Sequence, residues 1–137
     1  MKRILAIEMA TEGKRSRHAE MEALFISHGL AAIKYISDRT AVMYLGKIVE
    51  MGPTDEIFKH AMHPYTESLL SAIPIPDPTL NRDRIILKGD MPNPIYPPSG
   101  CCFHTRCRYA EERCSMSYPE WQLRDDGHGA ACHFPLN

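Results

Sequence analysis

The stretch SGCCFHTRCRYAEERC, residues 99–114, puts four of the chain's five cysteines into one polar, turn-rich segment. Cysteines at that density close disulfides, bind metal or stay as buried thiols, and the redox compartment bears on which. The N-terminus begins with Lys2 and Arg3, but its apolar run stops at Glu8, too early for the hydrophobic region of a signal peptide. No window of the sequence approaches the run of about 18 apolar residues that a membrane span needs. A cytosolic chain is expected, where thiols stay reduced and a cysteine cluster favours metal over disulfides.

Cys101, Cys107, Cys114 and Cys132 are separated by five, six and seventeen residues, while Cys102 adjoins Cys101 and is not expected to face the same centre. Structural zinc usually takes its ligands from tight pairs two to four residues apart, which are absent here. Four thiolates on longer loops also suit an iron–sulfur cluster, whose greater span tolerates wider spacing. Reduced cysteines without metal are the third reading, and spacing alone leaves all three open. His104, His128 and His133 flank the cysteines as alternative ligands. A net charge of −1 with both signs mixed and 44% hydrophobic residues describes one soluble domain's worth of material with no basic footprint for nucleic acid.

Four parts follow along the chain. Residues 1–23 hold good helix formers but also Gly13 and no apolar stripe, which predicts a weak helix or a ragged end. LFIS at 24–27 reads as a strand, GLAAIKYI at 29–36 as a helix and TAVMYL at 40–45 as a second strand. Gly46 at the first position of a type II′ turn would join that strand to IVEM. Thr54 is placed to cap the helix DEIFKH, and Pro64 to open a second helix whose Tyr65, Leu69 and Ile73 share a face. From residue 74 prolines favour extended backbone, interrupted by a candidate strand RIILK at 84–88, and the cysteine module runs from Gly100 to the end. His28 follows a strand and precedes a helix, the place where open α/β sheets bind ligands.

FISHGLAAIKYISDRTAVMYLGKIVEMGPTDEIF resembles the segment of ABC-transporter ATP-binding subunits that runs from the switch-histidine loop through the last strands of the nucleotide-binding domain. HPYTESLLSAIPIPDP, RIILKGDMPNPIYPPSGCCFHTRC and GHGAACHF are similar to the C-terminal extension of the oligopeptide/dipeptide importer subfamily, so the likeness covers about Leu24 to Phe134. The resemblance implies an α/β fold: the C-terminal part of a P-loop NTPase nucleotide-binding domain at 24–73, a small proline- and cysteine-rich extension at 74–137, and a non-matching segment at 1–23. It implies that His28 is the switch histidine, which in the family contacts the terminal phosphate of ATP. It also implies a four-iron four-sulfur cluster on Cys101, Cys107, Cys114 and Cys132. The parent protein would use ATP and magnesium, and would work with permease subunits, a second ATP-binding subunit and, indirectly, a peptide-binding protein. It would sit on the cytoplasmic face of the inner membrane and energise peptide uptake.

Several positions depart from the family pattern. Gly29 replaces the acidic residue that usually follows the switch histidine, and Thr105 and Arg108 stand where prolines are common. The sequence holds no G-x-x-x-x-G-K-[ST], no strand ending in an acidic pair and no LSGGQ-like signature. Without a phosphate cradle and a magnesium-orienting carboxylate, the chain alone is expected not to hydrolyse ATP. The simplest account of residues 1–23 is an unrelated start on the C-terminal piece of a longer ATPase. Strands deprived of the rest of their sheet should leave residues 1–73 marginally stable. The contrasting function class is a free-standing iron–sulfur or zinc module that senses metal or redox state; within the transporter class, a metal chelate is the near alternative cargo.

Overall fold

The computed structural model describes residues 5–7, 26–27, 30–74 and 84–136. At the middle of its sheet lies a hairpin of β3 (Arg39–Tyr44) and β4 (Lys47–Pro53), numbered after two short strands upstream, β1 (Leu5–Ile7) and β2 (Ile26–Ser27). Leu45 and Gly46 form its two-residue turn with φ of 47° and 78°, and Tyr44 pairs with Lys47. Two positive φ angles make this a type I′ turn with glycine second, not the type II′ turn with glycine first that the sequence predicted. Both turns match the strand twist. Type I′ moves the turn one residue upstream and places Leu45 in the left-handed region, where only glycine is unstrained.

On one side of the hairpin β1 pairs antiparallel with β3, and β2 pairs with β1. Leu5–Ile7 lies in the segment expected to be a weak helix. The unpaired backbone groups along β3 offer strand pairing that helix propensity alone does not weigh. The rest of residues 1–23, and Leu24 and Phe25 of the expected strand, lie outside the described residues.

The other side of the hairpin is closed by the chain's own C-terminal part. β6 (Gly129–Ala131) pairs with β4 in the register Glu50 to Ala130 and Met51 to Gly129, and β5 (Trp121–Leu123) pairs with β6 at the edge. The sheet order is β2-β1-β3-β4-β6-β5, antiparallel throughout. Extension and hairpin therefore share one sheet.

Helix α1 (Leu30–Ile36) forms where its periodicity predicts and buries Leu30 and Ile33. Helix α2 (Thr54–Lys59) starts one residue earlier than expected. Thr54 is not a side-chain cap: its hydroxyl meets that of Thr40 at 2.8 Å, and its N–H donates to the Asp38 carbonyl at 2.9 Å. This ties the start of α2 to β3. Helix α3 (Pro64–Ser71) has Pro64 in its first turn, and buries Tyr65 and Leu69 while Ile73 packs against the core beyond its end. RIILK forms no strand. Ile85 donates its N–H to Ser71 Oγ at 3.1 Å and Ile86 is exposed.

The core gathers Leu30, Ile33, Val42, Val49, Ile57 and Leu69 around three rings. Tyr44 meets Tyr65 at 4.7 Å and Phe103 at 5.2 Å between centroids, both edge-on, and Tyr65 meets Phe103 at 5.3 Å. Edge-to-face geometry lets each ring set its positive rim against a neighbour's negative face. Phe103 belongs to the cysteine module, so the module and the hairpin share a core as well as a sheet. No helix among the described residues is long and apolar enough to cross a membrane.

Candidate metal centre

Cys101, Cys107, Cys114 and Cys132 line one pocket, and Cys102, although buried, does not. Each is delivered by a different local device. Gly100, at φ 67°, turns the chain so that the Cys101 N–H donates to the Cys114 carbonyl at 2.8 Å. A Cβ on Gly100 would run into that carbonyl and come within 2.8 Å of the Ser115 carbonyl carbon. A short 3-10 turn, His104–Arg106, then places Cys107, while α4 (Glu112–Met116) carries Cys114. Cys132 follows β6 directly, so sheet pairing positions the fourth sulfur. All five cysteines are free thiols.

Burial pushes the thiols of Cys101 and Cys107 up, and takes Cys132 from 9.0 to about 11. Opposing this, backbone N–H groups of Phe103, Tyr109 and Phe134 donate to the sulfurs of Cys101, Cys107 and Cys132, each from two residues downstream. The neighbouring sulfurs disfavour one another's ionisation, so these three thiols are neutral at neutral pH. Metal binding requires thiolate, and a cation set among the sulfurs would reverse the penalty. The aimed N–H groups are the outer-shell donors that thiolate centres use. By donor chemistry four soft thiols on one pocket are the set a metal–sulfur group takes, but their side chains are not drawn together as a single ion would draw them. Among the described residues no three or more His, Cys, Asp or Glu side chains are gathered as a metal ion needs them.

The flanking histidines divide. His104 and His133 line the cysteine pocket, with His104 Nδ1 2.8 Å from the Cys101 carbonyl and His133 Nε2 2.9 Å from the Ser117 carbonyl. His128 is elsewhere: its Nε2 lies 2.7 Å from Glu50 Oε1, and both side chains are fully buried. Glu50 also accepts the N–H of Met62 at 2.7 Å and of His63 at 2.9 Å. Sequence reasoning passed over Glu50 and His63. His63 had a readable signal as a polar residue directly before Pro64, and it caps α3 by accepting the Tyr65 N–H on Nδ1 at 3.1 Å. Glu50 had none, because a glutamate in a strand faces water by default. His28 lies outside the described residues.

Residues 49–114 match the model of the oligopeptide/dipeptide transporter C-terminal region. That stretch belongs to this family. The chain is 49% identical to a probable peptide ABC transporter ATP-binding protein of Sinorhizobium fredii over 80% of its own length and 31% of the relative's. It is 48% identical to the oligopeptide transport ATP-binding protein of Haemophilus influenzae, over 82% of this chain and 34% of that one. A di/tripeptide transport ATP-binding protein of Pseudomonas aeruginosa is 49% identical over 80% of this chain and 34% of its own. The chain thus spans about a third of the length of the curated relatives it matches. Within the matched stretch fall Glu50, His63, Cys101, Cys107 and Cys114, while Cys132 and His128 lie beyond it.

Proposed function

We propose that this chain carries the switch-histidine segment and the C-terminal extension of an ATP-binding subunit that energises import of oligopeptides or dipeptides. The observation that carries the reading is the identity of nearly half over four-fifths of the chain to ATP-binding proteins of peptide transporters. On this reading residues 24–73 are the last part of a P-loop nucleotide-binding domain, residues 74–137 are the extension, and residues 1–23 stand apart. His28 contacts the terminal phosphate of ATP and holds the attacking water in line, which is positioning of phosphoryl transfer rather than covalent catalysis. The phosphate cradle and the magnesium-orienting acid come from sequence that these 137 residues do not contain, so hydrolysis needs more than this chain. Permease subunits, a second ATP-binding subunit and a peptide-binding protein complete the importer at the inner face of the membrane.

Within the extension, Cys101, Cys107, Cys114 and Cys132 hold a four-iron four-sulfur cluster. What supports it is the donor set, four thiols on one pocket with backbone amides on three of the sulfurs. A lone zinc ion wants its sulfurs about 2.3 Å away in a tight tetrahedron drawn from closely spaced pairs, whereas four cysteines on wider sequence spacing suit an iron–sulfur group. Such a cluster supplies a one-electron couple and a covalent staple for a proline-rich segment.

The importer reading is tested by grafting residues 24–137 onto the preceding part of a peptide-importer ATP-binding subunit, in cells lacking their own. Restored peptide uptake that His28→Ala abolishes is the expected outcome. A chimera that folds and joins the permease yet neither hydrolyses ATP nor restores uptake would refute it.

A further inference from the structure

His63 has a buried edge that the fold leaves unused. Its Nδ1 accepts the Tyr65 amide, and an amide can only donate, so the neutral ring carries its proton on Nε2. Burial keeps the ring neutral by lowering it from 6.5 to about 4, against an opposing pull from Glu50. Nε2 is buried and has no hydrogen-bond partner among the described residues. A buried donor without a partner is costly and calls for an explanation. The ring lines the cysteine pocket, packed 5.7 Å from Phe103 between centroids. His104 and His133, on the same pocket, already face backbone carbonyls. Glu50 anchors the His63 backbone from behind, so the ring is held at both its amide and its Nδ1.

We propose that His63 is a positioning residue for the four-cysteine centre, donating a hydrogen bond from Nε2–H to a sulfur of the group held there. The proposal rests on the iron–sulfur reading above. A donor aimed at sulfur stabilises the more negative, reduced state of such a group and so raises its reduction potential. His63 is chemically distinct from the ligands: it supplies a proton to share, and its lone pair is spent on capping α3.

The test compares His63→Asn with His63→Gln in the full chain, reconstituted anaerobically with iron and sulfide. Asn keeps a short acceptor for the α3 cap but withdraws the donor from the pocket. Gln reaches further and can return an N–H to the place of Nε2. Expected for His63→Asn is wild-type iron and sulfide content with the oxidised-to-reduced ratio at a fixed potential raised about tenfold, which is about 59 mV for one electron, and a return toward wild type in His63→Gln. Equal potentials in all three, or the same shift in both variants, would overturn it, because packing alone would then account for the ring. A second measurement needs no variant of His63. In reduced protein labelled with 15N-histidine, a hyperfine coupling to an imidazole nitrogen is expected to survive His104→Asn and His133→Asn, and no coupling would overturn the proposal. Wild-type protein that takes up neither iron nor sulfide would instead sink the iron–sulfur reading, and this proposal with it.

Discussion

Changing Glu50 to Gln replaces one carboxylate oxygen with an NH2 group at the point where three segments meet. Oε1 accepts from the Met62 amide at 2.7 Å and from His128 Nε2 at 2.7 Å, and Oε2 accepts from the His63 amide at 2.9 Å. Three donors thus face two oxygens, and glutamine has one. In its better orientation the glutamine oxygen keeps Met62 and His128, and its NH2 confronts the His63 N–H, donor against donor. That loses a hydrogen bond to a charged group, about 1.5–3 kcal/mol, and strands a buried N–H, about 1–3 kcal/mol. The loss falls near the 3–5 kcal/mol typical of breaking a buried pair, and about 3 kcal/mol is a large part of a small domain's stability. At a urea dependence of about 1–3 kcal/mol per molar, the midpoint should fall by roughly 1–3 M. Trp121, the sole tryptophan, sits on β5 beside β6 and reports unfolding of that edge by fluorescence. A loss below about 0.5 kcal/mol, the range of ordinary surface substitutions, would show that the buried carboxylate does not fasten the extension to the sheet.

Gly100→Ala should cost about 2 kcal/mol or more, since it adds left-handed strain to a collision with the backbone of Cys114 and Ser115; urea unfolding checks the loss, and reconstitution should show less iron bound. Cys101→Ala should abolish iron and sulfide uptake while Cys102→Ala keeps it, because only the first lines the pocket; equal loss in both would place the ligand wrongly. Acid should destabilise the protein through His63. Its folded value of about 4 lies below 6.5, so between those pH values the unfolded chain takes up a proton that the folded one refuses. Stability is full above pH 6.5 and falls as pH drops toward 4, by about 3 kcal/mol in all, and urea midpoints at pH 7 and pH 4.5 should differ less in His63→Asn than in wild type.

What was legible in the sequence was local. The run GLAAIKYI has helical spacing and forms α1; Pro64 marks the start of α3; and the turn at Gly46 is a hairpin, though with its register one residue away. That Cys102 stands off the pocket which the other four cysteines line was also readable, because adjacent residues rarely aim at one point. What escaped was long-range. GAA carries no strand propensity, and Gly129–Ala131 becomes a strand because β4 offers an open edge and because small residues allow close approach: a Cβ on Gly129 would come within 2.5 Å of Trp121 Nε1. RIILK has the propensity and pairs with no strand among the described residues. In both cases the neighbour decided, as it usually does for β structure.

The largest omission, Glu50, explains why the extension is not a separate appendage. Its carboxylate holds the backbone at Met62 and His63, hence the start of α3, and at the same time holds His128, the residue before β6. From the first anchor the His63 ring reaches the cysteine pocket, and from the second the chain runs through three residues of strand to Cys132. One buried carboxylate on β4 thus holds the backbone of a residue that lines the pocket and the ring of the residue that leads into the strand before its fourth cysteine. A cysteine pocket assembled this way shares its geometry with the hairpin, and a change in either should be felt by the other.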